Sequence, residues 1–372
     1  MGFEIGIGPN VRKSAYFDAT VRQGVRRFSV YNHMLIPADF GDPAAEYDRL
    51  MNGVAMWDVA AQRQVELRGA DAARLAQYLT PRSLAGLRAG RGAYVPLCDH
   101  DGWLINDPVL LKLDETRFWL SVADSDIHLW AAAIGREKGW DVKVAEPDVS
   151  PMAVQGPRAT DVIAALFGER VRSFPYFGFE ETHLGNIPLV LARSGWSKQG
   201  GFELYLQDGS RATELWGLVA AAGATFGIGP GAPNDIERIE SGLISYGADM
   251  RWQDRRANPF EMGFGRLIEL EDGHDFVGRD ALRQIAERPT TRTRIGLVVE
   301  GQETLPTHPA PLFRGSEEVG QVHELVWSPR FGQMIGVCLI RADLAKPKTS
   351  LNVSIGGTER VAHVHPLPFI SR

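Results

Sequence analysis

The chain has 372 residues, 44% of them hydrophobic and 23% charged, with a formal net charge of -6. That length exceeds one typical core and predicts two or three domains. The mild acidity argues against the basic surface that nucleic acid or an anionic membrane requires, and no stretch reaches the length of a membrane span.

The opening "MGFEIGIGPNVRKS" lacks an apolar run behind a basic cluster, so no signal peptide is expected. Gly2 is followed at position 6 by Gly6 rather than the Ser or Thr of a myristoylation site. Cys98 and Cys338 lie far apart in apolar runs and read as buried free thiols of a reducing, cytoplasmic compartment. Two cysteines without a histidine cluster make no zinc site, and no metal is expected.

In chain order, a strand through Tyr31 gives way to a loop punctuated by Pro and Gly, then a helix from about Pro43. Val65 and Leu67 alternate with Gln64, Glu66 and Arg68 as in a half-buried strand, and "DAARLAQYLT" has helical spacing. Asp101-Gly102 predicts a hairpin turn, and "LDETRFW" contains the next turn. A helix over about 125–139 and the strand "WDVKVAEP" complete a first α+β stretch. "MAVQGPRATDVIAALFG" reads as strand, turn and helix, and "THLGNIPLVLARSGWSKQGGFELYLQD" as one or two hairpins. Helices follow at about 210–222 and over "NDIERIESGLISYG". From about Thr293 short alternating runs between Gly, Pro and charged turns predict a small all-β domain.

Three acids stand out. In "GGFELYL", Phe202, Leu204 and Leu206 share one face, and Glu203 and Tyr205 the other. A carboxylate beside an aromatic and a glycine pair suits a flat heteroaromatic ligand, with the glycines letting backbone come close; an exposed sheet face with a long loop is the alternative. Asp107 lies between apolar residues of "GWLINDPVLL", just before Pro108. It reads either as a group that holds or takes a proton from an amine or as a strand-end acid satisfying local donors. Glu240 falls in the apolar arc of Ile236, Ile239, Leu243 and Ile244, behind an Asn234–Glu237 capping box and with Arg238 on the opposite face. A structural ion pair with an unnamed partner is expected there. His363 and His365 share a strand face without a third ligand, Trp327 reads as a turn anchor, and "GIGPGAP" lacks dinucleotide-fingerprint spacing.

The ordered series "MWDVAAQRQVELRGADAARLAQYLTPR", "LINDP", "MAVQGPRA", "SGWSKQGGFELY", "NDIERIESGLISYGADM", "NPFEMGFG", "DFVGRDAL" and "GQVHELVWSPRFGQMIGVCLI" resembles the glycine cleavage T-protein family of folate-dependent aminomethyltransferases over nearly the whole chain. The resemblance implies a three-domain cloverleaf around tetrahydrofolate: two interleaved α+β units (about 1–52 with 148–230, and 53–147 with 231–290) and an all-β domain at 291–372. It implies that Glu203 contacts the pterin, with Trp196, Tyr94, Tyr176 and Gln199 as further folate contacts and Asp107 as the acid near the reactive folate nitrogens.

Two departures from the T-protein bear on the donor. Tyr31-Asn32-His33-Met34 replaces a glycine-rich segment that helps receive a lipoyl arm, and Asn234 stands where the T-protein has arginine. No lipoyl carrier is therefore expected as a partner, and the protein is expected to be a monomer or homodimer. Several of the quoted stretches resemble a branch that moves a methyl group from a sulfonium donor to N5 of tetrahydrofolate. For that donor Tyr31, Met34, Trp196, Ser197, Lys198 and Tyr205 are the candidate contacts. The alternatives are a sibling enzyme for a methylamine, betaine or methoxy donor, and a folate-binding protein of iron–sulfur assembly. The latter carries a Lys-Gly-Cys-Tyr motif that this chain lacks.

Overall fold

Alternation and capping chemistry account for most elements of the computed structural model, which describes residues 6–271, 273–302 and 309–370; the expectation at Gly2 lies outside them. The described chain falls into two units. The first comprises residues through Ala72, Leu87–Ala93 and Val109–Pro233, and the second Ala73–Gly86, Tyr94–Pro108 and the chain from Asn234 onward.

Helix α1 (Phe17–Arg22) precedes a hairpin of β1 (Arg27–Tyr31) and β2 (Met34–Asp39). The segment expected as a loop after Tyr31 is thus a strand. Asn32 and His33 adopt left-handed backbone, φ 49° and 59°, in the two-residue turn whose twist suits a hairpin. Pro37 is tolerated because a two-stranded sheet is all edge. Helix α2 (Pro43–Asn52) starts as expected: Pro43 sits in its first turn and Asp42 accepts a hydrogen bond from Ala45 N.

Next come β3 (Ala55–Asp58), β4 (Gln64–Arg68), α3 (Ala72–Tyr78) and β5 (Arg91–Tyr94). Strands β6 (Leu97–Cys98) and β7 (Leu104–Asn106) flank the Asp101-Gly102 turn, where Gly102 has φ 82°. Then follow β8 (Val109–Lys112), β9 (Arg117–Ser121), α4 (Ile127–Glu137), β10 (Lys143–Ala145), β11 (Ser150–Gln155), α5 (Ala159–Phe167), β12 (Phe179–Leu184), β13 (Ile187–Ala192), β14 (Gly201–Leu206), α6 (Ala212–Gly223) and β15 (Gly229–Gly231).

These build two sheets of the first unit, ordered β12-β13-β14-β11-β3-β15 and β10-β4-β9-β8-β5. Phe202, Leu204 and Leu206 face a core with Val154, Leu189 and Leu191, closed by Val162 and Ile163 of α5 and Leu215 and Val219 of α6. Each such side chain contributes about 1.5–3 kcal/mol by leaving water. The opposite face of β14 is left for Glu203 and Tyr205.

The second unit adds α7 (Asp235–Glu240), α8 (Arg279–Ala286) and six strands: β16 (Arg292–Val299), β17 (Ala310–Arg314), β18 (Glu317–Ser328), β19 (Gln333–Arg341), β20 (Ser350–Ile355) and β21 (Thr358–His365). They close a barrel in the order β16-β19-β18-β17-β20-β21, packed inside by Leu297, Leu312, Val322, Ile340, Val353 and Val364. Both cysteines are free and buried.

Helix α7 is shorter than its periodicity suggests. Asn234 caps it, accepting from Glu237 N, but it stops at Glu240, and Gly242 turns the chain with φ 65°. Leu243 and Ile244 therefore lie outside it. Arg238 does not face away from the core: it is fully buried and pairs with Asp249 at 3.0 Å, which also holds Arg294 at 3.0 Å. Glu240, equally buried, accepts from Ser328 Oγ at 2.5 Å and has Arg330 Nε at 3.7 Å, which supplies the unnamed structural partner. The turn after β18 is anchored by Ser328, whose Oγ accepts from Phe331 N, rather than by Trp327, which is 40% exposed.

Candidate functional site

The first cluster is built on β14. Register places Glu203 opposite Ala192 of β13 and Ala153 of β11, and Ala153 opposite Trp57 of β3. Cross-strand partners share a face, so the carboxylate stands between two methyl groups with an indole beyond them. Glu203 is 5% exposed, which removes the exposed-face alternative. Its Oε2 accepts from Ser194 Oγ and from the Tyr205 hydroxyl at 3.0 Å. Burial pushes the Glu203 carboxyl up, and the two hydroxyl donors partly offset this.

The loop before β14 is organised by Gln155, a fully buried side chain at the end of β11. Its Nε2 donates to Ser194 O at 3.1 Å, and its Oε1 accepts from Ser197 Oγ at 2.9 Å. A Cβ on Gly195 would stand 2.0 Å from the Gln155 amide, and one on Gly201 2.4 Å from it. Gly201 is therefore glycine to make room for Gln155 and for the backbone carbonyl of Val154, also 2.4 Å away. Gly200 meets nothing within 4 Å and owes its identity to a φ of 84°. Ser197, expected at the donor, is buried and bonded to Gln155. Trp196 and Gln199 are half-buried and Lys198 is exposed.

Tyr31 and Met34 form the last rung of the β1–β2 hairpin and pack on the main core of the first unit. The hairpin is pinned by Asn32, whose Nδ2 donates to Ala61 O and Val122 O at 3.0 and 3.1 Å and whose backbone N donates to Asp124 at 2.7 Å. Tyr205 is 1% exposed, and its ring lies 6.3 Å from that of Trp119. Tyr176 is 55% exposed, its ring against Phe177.

The second cluster belongs to the second unit. Asp107 lies just past β7, beside Pro108, which breaks the ladder, and is 8% exposed. The Tyr94 hydroxyl donates to Asp107 Oδ2 at 2.5 Å, and Phe264 meets the Tyr94 ring edge-on at 5.6 Å. Desolvation lifts the Asp107 carboxyl to about 7; the Tyr94 hydrogen bond and the Arg294 charge pull it down, and Asp249 pushes it up. An acid so placed exchanges its proton near neutrality.

Sequence reasoning singled out both acids but missed Ser194, Gln155, Asp249 and Arg294. The glycines of "SGWSKQGG" were the available signal for Gln155, since close packing against a neighbour explains glycine as well as a ligand does. Among the described residues no group of three or more His, Cys, Asp or Glu side chains is arranged to hold a metal ion, and no helix is long and apolar enough to cross a membrane.

Two family models match the chain: the GCVT N-terminal domain over residues 16–272 and the glycine cleavage T-protein C-terminal barrel domain over residues 292–370. The chain is 40% identical to the dimethylsulfoniopropionate demethylase of Ruegeria pomeroyi, covering 92% of this chain and 93% of that protein. It is 28% identical to the aminomethyltransferase of Saccharopolyspora erythraea, covering 93% and 94%. The crystal structure of the glycine cleavage system aminomethyltransferase T from Bartonella henselae superposes with a TM-score of 0.85 at 21% identity, over 97% of this chain and 98% of that one, so the fold is T-protein-like.

Proposed function

Because the chain belongs to the glycine cleavage T-protein family, whose enzymes are folate-dependent transferases with tetrahydrofolate as cosubstrate, we propose that it transfers a methyl group from dimethylsulfoniopropionate to tetrahydrofolate. The products are 5-methyltetrahydrofolate and methylmercaptopropionate. The observation that carries this reading is the buried Tyr94–Asp107 pair, an acid poised to exchange a proton near pH 7. The choice of donor is supported by 40% identity to the demethylase against 28% to an aminomethyltransferase at nearly equal coverage.

The residues suit a reduced pterin. Glu203, a buried carboxylate flanked by the small side chains of Ala153 and Ala192, is an acceptor suited to the ring N–H groups of a pterin. Tetrahydrofolate supplies the nucleophilic N5 and carries the methyl group away. A sulfonium departs as a neutral sulfide, so no acid is needed at sulfur, and the protein's work is alignment and proton management. Asp107 receives the proton that N5 must lose, and Tyr94 keeps the resulting carboxylate stable by donating to it. Glu203 orients the ring, and Tyr31 and Trp196 offer aromatic faces to the sulfonium cation. Lys198 and Gln199, on the same loop, are the side chains that would meet the donor carboxylate and the folate.

The test is direct: purified protein is incubated with tetrahydrofolate and a panel of methyl donors, and the products are identified by mass spectrometry. Formation of 5-methyltetrahydrofolate with the sulfonium donor alone is expected. Turnover of an amine, betaine or methoxy donor in its place would overturn the donor assignment.

A further inference from the structure

The loop before β12 is held more firmly than a surface loop requires. Residues 174–178 read Phe-Pro-Tyr-Phe-Gly. Loops are ordinarily the more mobile part of a fold, yet each carbonyl of this one is engaged. Phe174 O accepts from Arg193 Nη1 at 2.7 Å, and Tyr176 O from Arg91 Nη2 at 3.1 Å. Phe177 O accepts from Gly92 N at 2.7 Å, Gly178 O from Arg193 N at 2.9 Å, and Pro175 O from Gly178 N at 2.8 Å.

Arg193, which follows β13 directly, takes part most often. Its Nη1 also donates to Arg172 O at 3.4 Å, and its own carbonyl accepts from Phe177 N at 2.9 Å. Guanidinium and main chain of one residue thus hold both ends of the loop, a task for which a planar fork of donors is better suited than a lysine. The hold sustains an unfavourable backbone. Phe177 has φ 60°, left-handed and an outlier for a bulky side chain. Such a residue persists only where its surroundings over-determine it, and such places cluster at ligand clamps. Beside it Tyr176 stands 55% exposed, its ring 4.3 Å from that of Phe177, while Phe174 turns inward, 6.4 Å from the ring of Phe202. On the other side of Arg193, Ser194 Oγ donates to Glu203 Oε2. One residue therefore joins the loop that carries Tyr176 to the segment that holds the Glu203 carboxylate.

We propose that Arg193 is a positioning residue that fixes residues 174–178, so that Tyr176 presents its ring, at a set place relative to Glu203, to the aromatic part of a bound folate. The platform stands before the ligand arrives, and binding bears no cost of ordering it. The ligand's identity rests on the folate reading; the hold of Arg193 on the loop does not.

Two measurements on the full chain test this, hydrogen exchange read by mass spectrometry and tetrahydrofolate binding read by calorimetry. In Arg193→Ala protein the peptide over 173–178 should exchange faster while that over 201–206 keeps its protection. The Kd and KM for tetrahydrofolate should rise about five- to tenfold, the worth of one aromatic contact, with kcat changing less than KM. Tyr176→Ala should weaken binding as much, and Arg193→Ala should add little in that background. Unchanged exchange in folded Arg193→Ala protein overturns the proposal, as does a loosened loop with unchanged Kd, or an Arg193→Ala effect that persists in full without the Tyr176 ring. Should Arg193→Ala not fold, Arg193→Lys, which keeps the charge and loses the fork, decides by the same readouts. Wild-type protein that does not bind tetrahydrofolate would sink the folate reading, and the exchange result would still decide whether Arg193 fixes the loop.

Discussion

Asp107 and Glu203 carry the same burden in different settings: each is a buried acid held by a tyrosine hydroxyl. Both were legible as acids misplaced among apolar neighbours. Their tyrosines were not, since nothing local in "GAYVP" says that the Tyr94 hydroxyl ends on a carboxylate 13 positions later. At this scale the proposed function makes a pH prediction. If turnover needs ionised Asp107, kcat rises with pH through about 7 and levels above it. Tyr94→Phe removes a donor to the carboxylate and moves that limb upward, and Asp107→Asn lowers kcat by about 10²–10⁴-fold at unchanged fold; steady-state rates across pH check all three. Stability gives an independent check. The folded acid keeps its proton up to about 7, against 3.8 for an ordinary aspartic acid. The native state therefore binds more protons in that window, and stability falls as pH rises through it. Denaturant titrations should show Asp107→Asn flattening that slope.

Among the elements, caps and alternation were dependable where the signal was local. Asp42 and Pro43 start α2, and Asn234 starts α7, where expected. Reading failed where a partner strand decided the outcome: β2 forms despite Pro37 because β1 lies beside it. The loop between β13 and β14 is the instructive case, because its Gly195 answers to Gln155 on β11. Gly195→Ala would set a Cβ 2.0 Å from that amide at φ 148° and should cost about 1–3 kcal/mol in denaturant unfolding. In a Gln155→Ala background the same substitution should cost clearly less, a coupling that a double-mutant cycle measures.

For the molecule as a whole, the barrel was visible in the alternation of the chain from Thr293 onward, as in β20, where Leu351, Val353 and Ile355 turn inward; β19 departs from it by burying Met334–Ile340 on both faces. The composition of the two units was not visible, because pairings such as β3 with β11 join segments about a hundred residues apart and periodicity holds no record of them. The buried trio Arg238–Asp249–Arg294 belongs to this level too: three charges from separate segments, each meaningless on its own helix or strand.

The two thiols have a use in the study of motion. Both lie in the second unit, Cys98 on β6 and Cys338 on β19, and burial pushes each thiol above its ordinary value. Neither is expected to react with an alkylating agent until the segment around it opens, and the first unit has no cysteine to confuse the signal. The chain thus carries its own stopwatch. Labelling of Cys338 should report barrel opening and labelling of Cys98 the opening of the β6–β7 hairpin. Mass spectrometry of the two peptides over time would show whether hairpin and barrel open as one or the hairpin opens first; equal, fast labelling of both in the native protein would contradict the burial described here.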